Sequence, residues 1–320
     1  MGKIFKLKRN KKQPNKEKII FKKRKKGNKT QILMQIVDRN GNLVCSKPLK
    51  KGSLGFLYDT VYGRTILKLL VRPTVSKVAG RVMDSSVSRV AIKSFVKKNN
   101  ISLDEYVSDT FKSYNDFFTR EIKPEMRRID KTPSNLISPC DSKLSAYTIE
   151  KDSVISIKDS YYSIGALINN EELAAEYVGG LCLIFRLTVD DYHRYCYFDN
   201  GTKGKNVFIK GILHTVNPIA LGRYNIYKRN SREYTVLETE NFGKAVQVEV
   251  GALLVGRIKN LHEVHSFKRG EEKGMFEFGG STVVLLLKKD IAVIDEDILN
   301  NTKANIETVV RMGEVIGHKI

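Results

Sequence analysis

The chain has 320 residues, no Trp, four Cys and a formal net charge of +21. That length supports one large core or two smaller ones at roughly 100–200 residues per domain, and the composition excludes a collagen, a coiled coil and a wholly disordered chain. Cys45, Cys140, Cys182 and Cys196 form no CxxC pair, which argues against a disulfide scaffold or a cysteine-based zinc site and fits a reducing compartment.

The charge is concentrated at one end. Residues 1–30 hold 14 Lys and Arg against one acid, Glu17, a net of +13, whereas the other 290 residues carry a net of +8. Such a block repels itself and stays solvated, so residues 1–30 read as a basic disordered tail. It suits nucleic-acid phosphate or an anionic membrane surface, at about 1 kcal/mol per Lys or Arg; the tail alone does not choose. No stretch approaches the roughly 20 apolar residues of a spanning helix, and the tail lacks the apolar centre of a secretory signal. Any membrane contact is then expected to be peripheral. Residues 56–72 mix Phe56, Leu57, Ile66, Leu67, Leu69 and Leu70 with Arg64, Lys68 and Arg72. They read either as an interfacial helix or as a core helix.

After the tail, Asn40-Gly41 between apolar runs at 31–37 and 42–45 signals a hairpin. Residues 53–122 read as helical, and Ser102-x-x-Glu105 reads as a capping box opening a helix toward Phe118. From residue 137 short β-branched runs recur, at 181–188, 207–212, 234–237, 245–250, 252–258 and 282–287. The expected fold class is α+β, with a helical N-terminal region followed by a mostly antiparallel β-rich catalytic domain. The expected divisions are a tail (1–30), a hairpin and helical membrane-proximal region (31–130) and the catalytic domain (131–320). Phe117, Phe118, Phe185 and Phe198 read as core.

The chemistry centres on Gly279-Gly280-Ser281-Thr282, which feeds the apolar run 283–287. Three readings stay open on spacing. One is a tight turn, since Gly tolerates φ > 0. Another is a phosphate loop, which lacks the helix it needs. The third is a strained peptide whose Ser attacks its own preceding carbonyl, which Gly280 leaves unshielded. A Ser nucleophile needs a base and an orienting acid. Asp141 and one of the five His (His193, His214, His262, His265, His318) are available.

Several segments, in order, resemble the phosphatidylserine decarboxylase family. Phe276-Glu277-Phe278-Gly279-Gly280-Ser281-Thr282 resembles its self-cleavage motif. Ser113-Tyr114-Asn115-Asp116-Phe117-Phe118-Thr119-Arg120 with Lys123-Pro124 is similar to its first block, and Ser138-Pro139-Cys140-Asp141 to its Pro-x-Asp block. Asp191-Tyr192-His193-Arg194 and His214-Thr215-Val216-Asn217-Pro218 resemble the central blocks. Asn230-x-Arg232 and Val248-Glu249-Val250-Gly251-Ala252-x-x-Val255-Gly256 resemble the later strands.

The resemblance implies self-cleavage between Gly280 and Ser281 into a large subunit (1–280) and a small one (281–320). Ser281 would then become a pyruvoyl cofactor that decarboxylates phosphatidylserine to phosphatidylethanolamine. It implies Asp141 as relay acid, Ser281 as nucleophile, and His193 as the base for cleavage, the acid that reprotonates the substrate carbon, or both. Cys196 stands where many members carry a second His, and a free thiol is mostly protonated near neutral pH. His265 is the second candidate base. No metal ligand and no nucleic-acid partner is expected; a homo-oligomer is left open. The expected location is the cytoplasmic face of the cell membrane, held peripherally by the tail. The competing functions are a pyruvoyl decarboxylase of a soluble amino acid, a basic-armed nucleic-acid-binding protein and a serine hydrolase. The last lacks a Gly-x-Ser-x-Gly elbow.

Overall fold

Alternating and continuous apolar runs from both halves of the chain pair into an eleven-stranded sheet. The computed structural model describes residues 33–48, 62, 65–66, 73–157, 160–211, 230–251, 257–277 and 281–320. The basic tail, most of 56–72, the His214 block, 252–256 and Gly280 lie outside the described residues.

Four antiparallel strands form the centre of the sheet, in the spatial order Gly243–Val250, Ser281–Leu287, Leu181–Leu187 and Ser142–Thr148. Every residue of Ser281–Leu287 is buried. A strand covered on both faces needs no polar alternation, which explains its unbroken apolar run. Leu183, Phe185, Leu187, Val283, Leu285 and Leu287 face a core with Tyr195, Phe198 and Phe276. Their neighbours Cys182, Ile184, Val284 and Leu286 face a second core with Ile164, Leu167 and Tyr177. A one-residue slip would exchange the two faces, so packing fixes the register that places Ser281 opposite Leu187.

Arg232–Thr239, Gly201–Lys203 and His265–Phe267 extend the sheet on one side; Ile306–Val310, Leu33–Val37 and Leu43–Pro48 extend it on the other. The last two form the expected hairpin. Gly41 sits at φ +80° and its N–H donates to the Asp38 carbonyl (3.0 Å). Leu33–Val37 runs parallel to Ile306–Val310, and Arg39 at the hairpin end is paired with Asp295 and Asp297 (2.7 and 2.6 Å). Residues 281–320 thus supply an inner strand, the helix Glu296–Lys303 and a further sheet strand flanked by Ser142–Thr148 and Leu33–Val37.

The helices Pro73–Asp84, Val90–Asn99 and Tyr114–Phe118 surround a separate cluster of Ile92, Phe111, Tyr114, Phe117 and Phe118. The fold is α+β with a mostly antiparallel sheet, as the sequence pattern indicates. The Ser102 capping box does not form. Ser102 makes no side-chain cap and only a short 3₁₀ turn, Leu103–Glu105, follows it. Glu105 is drawn to Arg127 instead (3.3 Å), and the Tyr106–Ile122 bridge extends the backbone. The helix that reaches Phe118 starts later, where Ser113 accepts from the Asp116 N–H (3.1 Å). Of the expected 252–258 strand, the described part belongs to Arg257–Asn260.

Candidate active site

Ser281 opens the inner strand, is fully buried, and its Oγ has no hydrogen-bond partner among the described residues. Ser142 Oγ, Thr282 Oγ1 and His193 Nε2 share that condition. The row Lys143–Arg186–Thr282–Val250 runs across the four strands, with Ser142 and Ser281 one residue outside it. The Asp141-Ser142 strand start therefore lies two strand steps from Ser281, about 10 Å at the usual spacing. A buried polar atom left unpaired costs about 1–3 kcal/mol. Three of the four atoms, those of Ser142, Ser281 and Thr282, lie at one end of these strands, where packing alone gives no reason to keep them unpaired.

Leu181–Leu187 leaves the sheet through a turn that Asp191 closes. The Asp191 carboxylate accepts from the Thr188 N–H (2.6 Å) and from Lys143 Nζ (2.6 and 2.7 Å). His193 follows. Its Nδ1 lies 2.9 Å from the Asp191 carbonyl oxygen, an acceptor only, so Nδ1 carries the proton and Nε2 the lone pair. Phe118 covers the ring at 4.0 Å between centroids, and the His193 carbonyl accepts from the Phe276 N–H (2.9 Å). Its backbone is thereby tied to the strand Glu272–Glu277 that precedes the cleavage motif. Burial, reinforced by the Arg120 charge, depresses the imidazole to about 3, so it is neutral near pH 7.

Asp141 is held differently. Arg127 reaches it with Nε (2.9 and 3.0 Å) and Nη2 (2.6 Å), and the Met312 N–H donates to Oδ1 (2.8 Å). These partners, not His193, occupy its carboxylate. Cys196 is buried, and burial pushes its thiol up to about 12. His265 lies on the edge strand His265–Phe267, four strand steps from Ser281, about 19 Å along the sheet. His318 is exposed beside Asn135, and His214 lies outside the described residues.

The family model described as phosphatidylserine decarboxylase matches residues 114–318. Phosphatidylserine decarboxylase proenzyme 2 of Clostridium acetobutylicum is 50% identical over 272 residues, covering 85% of this chain and 93% of that protein. The proenzymes of Clostridium perfringens and Ruminiclostridium cellulolyticum are 43% and 42% identical, each covering 83% of this chain and 92% and 91% of their own. The chain belongs to the phosphatidylserine decarboxylase family.

Within this phosphatidylserine decarboxylase family chain, several resembling motifs serve the scaffold. Asn230 donates to the Gly251 carbonyl (2.7 Å), and Arg232 Nη2 donates to the Ala166 carbonyl (2.8 Å) at the helix Ile164–Ile168. Glu249 forms a fully buried ion pair with Lys273 (2.8 Å), which also donates to Asn260 (2.8 Å). Glu249 faces Val283, two residues along the strand from Ser281. Sequence reasoning gave no role to Arg127, Lys143, Asp191 or Lys273. Their partners lie 14, 48, 48 and 24 residues away, and no local spacing announces such pairs. A cavity of about 300 Å³ adjoins Asp141, lined by its partners Arg127 and Met312 with Arg128, Lys131, Arg194 and Cys196. Ser281 and His193 do not line it.

Proposed function

We propose that this chain is a precursor that cuts itself between Gly280 and Ser281 and then decarboxylates phosphatidylserine to phosphatidylethanolamine. The carrying observation is the Ser281 Oγ at the head of an inner strand, buried with no partner among the described residues, together with a neutral His193 whose buried Nε2 also has none there. His193 Nε2 takes the Ser281 hydroxyl proton as Oγ attacks the Gly280 carbonyl carbon. The Gly280–Ser281 C–N bond breaks, the Ser281 nitrogen gains a proton, and an ester joins the fragments. Loss of the Ser281 Cα proton expels the Gly280 carboxylate, and hydrolysis then releases ammonia and leaves a ketone at position 281.

A base so strongly depressed is weak. Self-cleavage is needed once per molecule, however, so a slow base suffices. The neutral ring favours the base role of His193 over the acid role. Asp141, pinned by Arg127 and Met312, holds the start of the Ser142–Thr148 strand and acts on the relay through that position.

The buried polar atoms of Ser142 and His193 fit a small polar group at position 281, a pyruvoyl cofactor carried by Thr282 and its strand partners Arg186 and Val250. When present, the pyruvoyl supplies a ketone that condenses with the substrate amine and accepts the electron pair released with carbon dioxide. Leu187 and Phe276 in the core on one face of the sheet, and Phe118 over the His193 ring, serve to exclude water from that step.

The lipid substrate is met at a membrane surface. Val78, Val82, Val87 and Val90 are exposed on the helical region, among exposed Arg81, Arg89, Lys93 and Lys97. This pairing of apolar and basic side chains suits an anionic bilayer. No helix among the described residues is long and apolar enough to cross a membrane, and we assign a peripheral position on the cytoplasmic face, with the basic tail as a further tether.

Mass spectrometry of purified protein tests the reading. A 40-residue fragment, 281–320, with a ketone in place of its terminal amine is expected, together with carbon dioxide release from phosphatidylserine vesicles. Ser281→Ala is expected to leave the chain intact. An uncut wild-type chain that is active would overturn the mechanism.

A further inference from the structure

Far from Ser281, two histidines and a carboxylate converge at the outer end of the sheet. His262, His265 and Glu271 each present one ligand atom, and the three atoms lie within 4.8 Å of one another. The His262 and His265 rings stack at 3.8 Å between centroids and 9° between planes. His265 Nε2 lies 2.6 Å from Glu271 Oε1. We propose that His262, His265 and Glu271 form a binding site for a divalent transition-metal ion, with zinc the ion their chemistry suits best.

Two imidazole nitrogens and one carboxylate oxygen are a ligand set zinc accepts in tetrahedral geometry, with water as the fourth ligand. The supporting contacts are those a metal ligand needs. The Tyr197 hydroxyl lies 3.5 Å from His262 Nδ1; when Nδ1–H donates to it, the lone pair falls on Nε2. The Lys268 N–H donates to Glu271 Oε2 (2.9 Å), which leaves Oε1 for the ion. Lys203 Nζ donates to the His262 carbonyl (2.6 Å) and fixes the turn that carries the first ligand. The ion takes the place of the hydrogen between His265 Nε2 and Glu271 Oε1, the neutral ring keeping its N–H on Nδ1, and the stacked rings swing apart to aim their lone pairs at it.

The ligands span residues 262–271, and the strand Glu272–Glu277 begins at the next residue. A bound ion closes this loop and ties the edge strand His265–Phe267 to the segment leading into the cleavage motif.

The test is isothermal titration of zinc into untagged, EDTA-stripped, full-length protein. One saturable site of micromolar or tighter affinity is expected. His265→Ala and Glu271→Gln are each expected to weaken binding at least tenfold, and His318→Ala to leave it unchanged. Cobalt binding followed by its visible spectrum gives a second readout, and melting in EDTA confirms that the variants fold. Absence of a saturable site in the wild-type protein overturns the proposal. So does affinity that is unchanged in both His265→Ala and Glu271→Gln.

Discussion

Two regions of this molecule depart from the usual burial pattern in opposite directions. Polar atoms of Ser142, Ser281 and Thr282 at one sheet end, and of His193, are buried without partners among the described residues. On the helices of 73–99, Val87 and Val90 stand 75% and 82% exposed beside basic side chains. Each costs stability locally, and neither is explained by folding alone. In the proposed function, the first keeps the reactive groups dry. The second offers apolar surface to something other than water. The difference teaches where to look: we read unsatisfied polarity inside as the pointer to the chemistry, and unsatisfied apolarity outside as the pointer to the proposed docking face.

The largest expected effect falls on the buried region. His193→Ala is expected to slow cleavage about 10²–10⁴-fold, the usual loss on removing a general base, measured by gel densitometry of freshly refolded precursor. If cleavage proceeds normally in His193→Ala and stops in His265→Ala, the base has been misassigned. Next, Arg127→Ala strands the Asp141 carboxylate in a nearly buried position and is expected to cost about 3–5 kcal/mol in urea unfolding. Arg127→Met with Asp141→Leu is expected to recover most of that stability and none of the processing, which separates holding the strand from acting on Ser281.

A third experiment uses pH. The unfolded imidazole titrates near 6.5 and the native one near 3. Between those values the unfolded chain binds the proton and the native chain does not. Stability supplied by His193 is therefore complete above pH 6.5 and falls as pH drops toward 3, by up to about 1.4 kcal/mol per pH unit. Urea midpoints of Ser281→Ala and Ser281→Ala/His193→Gln between pH 7 and 4 are expected to diverge by that slope. Parallel curves would mean that His193 is not buried neutral.

The smallest effect belongs to the exposed face. Val87→Ser with Val90→Ser is expected to weaken binding to phosphatidylserine vesicles about tenfold, since two valines contribute at most roughly 3 kcal/mol and are only partly immersed. Deletion of residues 1–30 is expected to weaken binding in a salt-dependent manner. Both variants are expected to cleave normally; a loss of cleavage would join the two regions that the comparison separates.

Much of this was legible before any coordinates. Val283–Leu287 announced an inner strand because five consecutive apolar residues suit only a two-sided burial, and Asn40-Gly41 announced its hairpin because few residue pairs accept that turn. The Ser102 box misled because the same residues also make good loop caps, and Glu105 found Arg127 across the chain. Lys273 follows Glu271 and Glu272 in a charged stretch that gives no local sign of burial. It is fully buried because Glu249 meets it from another strand. Pairings of this kind are set by topology, which local sequence does not encode.

The interleaving of residues 281–320 has a consequence for how the mature protein ends its life. The proposed cut before Ser281 turns one chain into two that remain threaded through a single sheet, with Ser281–Leu287 held between Gly243–Val250 and Leu181–Leu187, and Ile306–Val310 between Ser142–Thr148 and Leu33–Val37. Before the cut, unfolding is unimolecular and reversible in principle. Afterwards it separates two molecules, so recovery depends on concentration and on a small fragment finding an inner position in a sheet that no longer exists without it. The precursor is the form that can fold; the enzyme is a form that persists because it has already done so.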